Sequence, residues 1–99
     1  LPYIIRYNAA VPYADKKYHD LAAKFGKTDL SEIVDDLNRR LHIPSTLREP
    51  LQEEARFESL IPEMAVTAKN DGCTKTNPII PDVNEFAELL KRCYYGEEK

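Results

Sequence analysis

Four stretches of this chain repeat apolar side chains at the three- and four-residue spacing that places them on one face of a helix. The four stripes consist of Ala14, Tyr18, Leu21, Ala22 and Phe25; of Leu30, Ile33, Val34, Leu37 and Leu41; of Phe57, Leu60, Ile61, Met64, Ala65 and Ala68; and of Val83, Phe86, Ala87, Leu90, Cys93 and Tyr94. No stretch of five or more residues alternates apolar and polar side chains as a strand does. The spacing therefore predicts an all-α chain.

The starts of two of these helices carry the sequence of a capping box. Asp29 precedes the second stripe and Asp82 precedes the fourth, and a glutamate follows each of them three residues later, at Glu32 and Glu85. In a capping box the first side chain accepts a hydrogen bond from the backbone of the first turn, and the glutamate bonds back to the residue before the helix. We therefore expect helices to begin at both places.

Glycine and proline mark where helices stop or change. Gly26 follows the first stripe and Gly96 follows the fourth, which is where glycine caps the end of a helix. Pro62 lies inside the third stripe, and proline interrupts helical hydrogen bonding. We therefore expect a short helical turn before Pro62 and the main helix after it.

The whole chain is expected to form one helical domain over residues 1–99. Residues 1–7 read as an incomplete helix, so the predicted architecture is a compact bundle of about five helices. Its 42% apolar and 31% charged residues are ordinary for a globular chain. Residues 97–99 are expected to be frayed.

Composition argues against several classes of partner. The net charge of -3 and the isoelectric point near 5.4 do not favour a nucleic-acid partner. No apolar run approaches the roughly 20 residues that span a bilayer. Cys73 and Cys93 make neither a disulfide framework nor a zinc motif. A cytoplasmic location is therefore expected.

Spacing alone predicts no catalytic, cofactor-binding or metal-binding residue. His19 and His42 are the only histidines, and neither has a partner three or four residues away that would place two metal ligands on one helix face. The carboxylates are scattered, and the three glycines do not form a phosphate-binding loop.

One segment, residues 70–78, concentrates small polar side chains. Asp71, Thr74, Thr76 and Asn77 can bond nearby backbone groups, and Pro78 favours an extended Asn77. These residues predict a rigid irregular connector between two helices.

This connector also resembles a loop of the iron-dependent (group III) alcohol dehydrogenases, in which an acid and a cysteine precede Asn-Pro. Three other segments resemble that family in the same order, so that the resemblance covers essentially the whole chain. The four segments are NDGCTKTNPIIP (70–81), LPYIIRYNAAVPYADKKYHDLAAKFG (1–26), LNRRLHIPSTLRE (37–49) and RCYYG (92–96). The last is most like the alcohol dehydrogenase half of bifunctional aldehyde–alcohol dehydrogenases. Ile79 stands where the family often has arginine, and His42 stands where it often has glycine.

The resemblance implies that this chain is the C-terminal fragment of a larger enzyme. In the parent, an N-terminal α/β domain would bind NAD(P), and a helical domain would hold divalent iron, or zinc, through one aspartate and three histidines. The metal would act as a Lewis acid during hydride transfer between alcohol and aldehyde. All four ligands are expected in segments before Leu1, so neither cofactor would bind this fragment and the fragment alone would be inactive.

The resemblance also singles out one residue of this chain. Cys73 matches a family cysteine beside the nicotinamide, which implies a place in the wall of the substrate pocket. The other interpretation is a buried loop cysteine that packs as a small apolar side chain.

A second functional class stays open at this stage. The chain could be an independent helical protein-interaction module, because its apolar start at residues 1–5 offers a surface for self-association or for a partner. The sequence does not distinguish the alcohol, NAD from NADP, iron from zinc, or a bifunctional from a monofunctional parent.

Overall fold

The computed structural model describes residues 1–96, and in that range it contains five α-helices, one 3-10 helix and no strand. The α-helices are α1 (Pro2–Asn8), α2 (Pro12–Ala23), α3 (Leu30–Arg40), α4 (Glu54–Asn70) and α5 (Val83–Tyr95), and the 3-10 helix spans Gly72–Thr76. The all-α prediction is confirmed. The expectation about residues 97–99 lies outside the described part. None of the helices in residues 1–96 has the length and apolar character needed to cross a membrane.

The helices group into two compact units, Leu1–Ser45 and Thr46–Lys99. The first unit contains α1, α2 and α3, and the second contains α4, the 3-10 helix and α5. That residues 1–99 form a single domain stays a prediction.

In the first unit, α1 packs against both α2 and α3, which also pack against each other. The buried apolar side chains are Ile5 on α1 and two alanines on α2, Ala14 and Ala22. The Arg6 guanidinium on α1 pairs with the Asp35 carboxylate on α3. Two of these buried side chains are therefore small, and an ion pair joins α1 to α3.

The end of α2 is closed at Gly26, as its sequence predicts. Gly26 has φ of 69°, the left-handed conformation that glycine adopts without a Cβ clash. The N–H of Lys27 donates to the Ala22 carbonyl at 3.1 Å, and the N–H of Gly26 donates to the Ala23 carbonyl at 3.0 Å. These two bonds form a Schellman motif, which satisfies carbonyls that the helix leaves without a partner.

The end of α3 has the same motif with a histidine in the glycine position. The N–H of Ile43 donates to the Asn38 carbonyl at 2.8 Å, and the N–H of His42 donates to the Arg39 carbonyl at 3.1 Å. His42 has φ of 60° and is, in the described chain, the one residue other than glycine with a positive φ. A side chain in this conformation costs about 1–2 kcal/mol relative to the right-handed helix.

The two predicted capping boxes differ in the structure. At α5 the box is complete: the Glu85 N–H donates to Asp82 at 2.8 Å, and the Asp82 N–H donates to the Glu85 carboxylate at 3.1 Å. At α3, Asp29 accepts from the hydroxyl and the N–H of Ser31 at 2.7 and 2.9 Å, and these bonds hold the pKa of Asp29 below its ordinary value. Within residues 1–96 no return bond from the Glu32 carboxylate is seen, so only the Asp29 half of that prediction is confirmed.

In the second unit, α4 and α5 pack around two aromatic rings. The rings of Phe57 and Tyr94 stack with centroids 4.2 Å apart and an interplanar angle of 16°. Ile61 joins them in the core, and Tyr94, which is fully buried, donates its hydroxyl proton to the Leu51 carbonyl at 2.7 Å. The phenol therefore fills the core and binds the segment before α4.

The expected interruption at Pro62 is wrong, because α4 continues through it from Glu54 to Asn70. Phe57, Ile61 and Ala65 are buried at helical spacing on both sides of Pro62, whereas Pro62 itself is exposed. Continuing the helix buries all three side chains on one face. Tertiary packing thus outweighs the loss of one backbone hydrogen bond at the proline.

The irregular segment before α4 is bound to the end of α5. The N–H groups of Leu47 and Arg48 donate to the carbonyls of Cys93 and Tyr94 at 2.8 and 3.3 Å. Both carbonyls lie in the last turn of α5, where carbonyl groups receive no hydrogen bond from the helix itself. The helix then ends at Gly96, with φ of 89°, as the sequence predicts.

Candidate functional site

Cys73 lies in the 3-10 helix that follows α4, and its side chain is exposed. Its N–H donates to the Asp71 carboxylate at 2.8 Å, and its carbonyl accepts from the Thr76 hydroxyl at 3.1 Å. Both backbone polar groups of Cys73 are therefore held by side chains of the same loop. Cys73 is exposed in this chain, and its place in a pocket wall stays a prediction.

The other polar residues of the connector also bond the backbone, as predicted. The Thr74 hydroxyl donates to the Ala68 carbonyl at 2.7 Å, and the Asn77 side-chain amide donates to the Ile79 carbonyl at 2.6 Å. Asn77 is extended, with φ of −70° and ψ of 145°, which is the conformation that Pro78 favours. The predicted bonds from side chains to backbone are present, whereas the 3-10 helical turn was not predicted and the rigidity of the connector stays a prediction.

Sequence reasoning missed one residue of this region. Lys69, in the last turn of α4, donates from Nζ to the Pro81 carbonyl at 3.0 Å. Its side chain joins the helix before the loop to the residue just before the cap of α5. A lysine at the end of a helix is common for electrostatic reasons, so the sequence carried no signal for this bond.

A cavity of about 360 Å³ lies on α4 at the base of the same loop. Its lining consists of Leu60, Glu63, Met64, Thr67, Ala68 and Asp71. Cys73 is not among these residues, although Asp71, which accepts from its N–H, is.

A second cavity, of about 380 Å³, lies in the first unit, and Arg6 and His19 are among the residues that line it. The Arg6 guanidinium bonds Asp35, and His19 Nε2 lies 3.3 Å from the Asp15 carboxylate. Hence the basic side chains of Arg6 and His19, which line the cavity, each lie beside a carboxylate.

The structure keeps the potential metal-binding side chains apart. His19 is exposed on α2, His42 is exposed at the end of α3, and Cys93 is half-buried on α5. Across residues 1–96, no three side chains of histidine, cysteine, aspartate or glutamate are grouped to hold a metal ion. The residues described here do not fit the four-ligand iron site that the resemblance places in the parent.

One further polar cluster lies at the end of α5. The Tyr95 hydroxyl bonds the carboxylates of Glu58 and Glu54, the latter at 2.9 Å, and Arg48 lies 3.7 Å from Glu54. The bond to Glu58 is the main reason why the pKa of Tyr95 is raised above its ordinary value of 10, since an ionised phenol could not donate to a carboxylate. This cluster joins α5 to the first turn of α4.

Comparison with known proteins gives a consistent result, although no family model matches the sequence. An alcohol dehydrogenase of Thermococcus barophilus is 35% identical over 98 residues, covering 96% of this chain and 25% of that protein. An aldehyde-alcohol dehydrogenase of Streptococcus pneumoniae is 29% identical over 117 residues, covering 97% of this chain and 13% of that protein. An NADPH-dependent butanol dehydrogenase of Clostridium saccharobutylicum is 29% identical over 107 residues and covers 99% of this chain.

Comparison of the fold with solved structures also gives an alcohol dehydrogenase. The crystal structure of an iron containing alcohol dehydrogenase from Thermococcus thioreducens matches 98% of this chain with a TM-score of 0.90 and 37% sequence identity, over 26% of that protein. The resemblance to iron-containing alcohol dehydrogenases is therefore confirmed, because nearly the whole chain aligns with one segment of such enzymes. The chain spans about a quarter of the length of each Thermococcus enzyme that it matches. The comparisons lend no support to an independent interaction module.

Proposed function

We propose that this chain is the C-terminal helical part of an NAD(P)- and metal-dependent alcohol dehydrogenase that interconverts an alcohol and an aldehyde by hydride transfer. The observation that carries the proposal is the match of 98% of the chain to an iron containing alcohol dehydrogenase at a TM-score of 0.90 and 37% identity. Agreement in fold and sequence together over the same residues supports shared descent rather than a chance likeness of helices.

Within the parent, the chain would complete the helical wall of the catalytic domain and contribute Cys73 to the substrate pocket. An exposed thiol on a loop whose backbone is held at both sides of the cysteine supports this role, because a pocket wall needs a fixed position. Divalent iron, or zinc, and NAD(P) would be held by the remainder of the parent, as the resemblance implies.

The main partner of this chain would be the rest of the parent dehydrogenase, in the cytoplasm. Large apolar side chains that remain exposed in the first unit support a covering partner; they are Leu1, Tyr13, Leu21, Phe25, Leu37, Leu41 and Ile43. Two of them, Leu37 and Leu41, form the C-terminal part of the apolar stripe that was predicted for α3. By contrast, the apolar start offers less free surface than expected, because Pro2 and Ile5 are buried and Leu1 alone is largely exposed. Self-association through that start stays a weaker alternative.

A chimeric enzyme tests the proposed function directly. This chain would replace the matching segment of the Thermococcus barophilus alcohol dehydrogenase, with a variant that lacks the segment as control. We expect alcohol-dependent reduction of NAD(P) by the chimera and none by the control. A folded, metal-loaded chimera without turnover would contradict the proposal.

The isolated chain provides the complementary measurement. Dialysed against iron(II) or zinc and then desalted, it should retain no stoichiometric metal and should reduce no NAD(P) with ethanol or butanol. Turnover by the isolated chain would show that the metal ligands are not all in other segments.

A further inference from the structure

Two side-chain hydrogen bonds join the connector between α4 and α5 to the last turn of α4, in addition to the backbone bond from the Asp71 N–H to the Ala68 carbonyl at 3.2 Å. At the start of the connector, the Thr74 hydroxyl donates to the Ala68 carbonyl at 2.7 Å. At its end, Lys69 Nζ donates to the Pro81 carbonyl at 3.0 Å. Both bonds are partly buried, so water competes with them less than it does at an exposed site.

The bonds that Asp71 and Thr76 make to Cys73 are local. Asp71 and Thr76 bond the N–H and the carbonyl of Cys73 across two and three residues. Such bonds shape the turn around Cys73, but the turn as a whole could still rotate about its junction with α4. The bonds of Thr74 and Lys69 reach across six and twelve residues and oppose that rotation.

We propose that Thr74 and Lys69 are positioning residues for Cys73. Neither residue needs to touch a substrate; each fixes the connector on α4, so that the thiol is presented from a constant place. The consequence for the substrate rests on the proposed function of Cys73 as a pocket residue, whereas the consequence for the loop does not.

Thr74 and Thr67 provide a matched pair of substitutions on the 99-residue chain. The Thr67 hydroxyl donates to the Glu63 carbonyl at 3.0 Å, inside α4, and holds nothing of the connector. In Thr74→Val the amide of Cys73 should exchange its hydrogen about fivefold faster, as expected for the loss of one hydrogen bond that limits local opening. In Thr67→Val its exchange should be unchanged, and Thr74→Ser should restore the slow rate.

Lys69 is tested in the same way, with the exposed Lys75 of the connector as its control. Lys69→Met should speed exchange at Cys73 and Asn77, and Lys75→Met should not. The amides of Ile61 and Leu89, in the buried part of the unit, report whether the whole unit has been destabilised. Equal acceleration in the two members of either pair, or no acceleration in Thr74→Val, would overturn the inference.

The enzymatic consequence is read in the active chimera. Thr74→Val should raise KM for the alcohol about fivefold and leave kcat within about twofold, because a displaced pocket wall weakens binding before it affects the reacting centre. If exchange at Cys73 changes while KM and kcat stay constant, the positioning role is wrong and the proposed function stands. If the unmodified chimera is inactive, the proposed function fails and the exchange data still decide whether the two bonds hold the loop.

Discussion

In residues 46–96 a stack of two aromatic rings holds α4 against α5, whereas in residues 1–45 three helices meet through small side chains and an ion pair. Phe57, Ile61 and Tyr94 form a compact core in the first case. In the second, the buried apolar side chains include Ala14 and Ala22, while larger ones remain exposed. Within residues 1–96, seven large apolar side chains are exposed in each unit, so the units differ in how their cores are built and not in how much apolar surface they leave exposed.

The largest effect is expected from removing the aromatic stack. Tyr94→Ala should lower the free energy of unfolding by about 3–5 kcal/mol, the range for truncating a buried aromatic side chain. Tyr94→Phe keeps the stack but loses the bond to the Leu51 carbonyl, so it should cost only about 1 kcal/mol. Urea unfolding followed by circular dichroism measures both. A loss below about 1 kcal/mol in Tyr94→Ala would contradict the central role of this core.

A second prediction compares the two Schellman motifs of the first unit. Gly26→Ala forces a Cβ into the left-handed conformation and should destabilise the chain by about 1 kcal/mol. His42→Gly removes the same strain and should stabilise it by about 0.5–1 kcal/mol, less the added flexibility of the unfolded chain. Thermal unfolding of the two variants should therefore shift in opposite directions. If both melting temperatures shifted in the same direction, the left-handed conformation at these two positions would not determine how the substitutions change stability.

The bonds of Tyr95 to Glu54 and Glu58 make the stability of the second unit depend on pH in the alkaline range. Because the pKa of Tyr95 is raised in the folded chain, its contribution to stability is present below pH 10 and is lost as the pH rises above that value. The melting temperature measured from pH 8 to 11 should fall more steeply in the unmodified chain than in Tyr95→Phe. Parallel curves for the two proteins would show that the bonds to Glu54 and Glu58 do not contribute.

The smallest effect is expected on the exposed apolar surface of the first unit. Leu41 is 60% exposed, so Leu41→Ser should change the stability of the isolated chain by less than about 0.5 kcal/mol. In the chimera, the same substitution should lower the melting temperature by several degrees, because there the side chain would be covered. An equal, small effect in both proteins would count against this surface as a contact with the rest of the dehydrogenase.

Much of the local structure follows from residues close together in the chain. The apolar spacing predicts α2, α3, α4 and α5, and Asp82, Glu85 and Gly26 predict ends that the structure confirms. These features depend on bonds that span three to five residues, so their signal lies within a short window. The family resemblance, carried by four short segments, is also confirmed by the comparisons.

Other features were decided by tertiary structure. Burial of Phe57, Ile61 and Ala65 on one face carries α4 through Pro62, against the local preference of proline. The Tyr94 hydroxyl bonds Leu51 across 43 residues, a distance in sequence at which no spacing pattern indicates a partner.

The sequence by itself determined that the chain is helical, where most helices begin and end, and which family it resembles. It also showed that Cys73 lies in a loop shaped by small polar residues. Only the tertiary structure decided that Thr74 and Lys69 join this loop to α4, and which apolar side chains stay exposed. The physical reason is that local hydrogen bonds and turn preferences are encoded in neighbouring residues, whereas burial depends on which helices finally pack together.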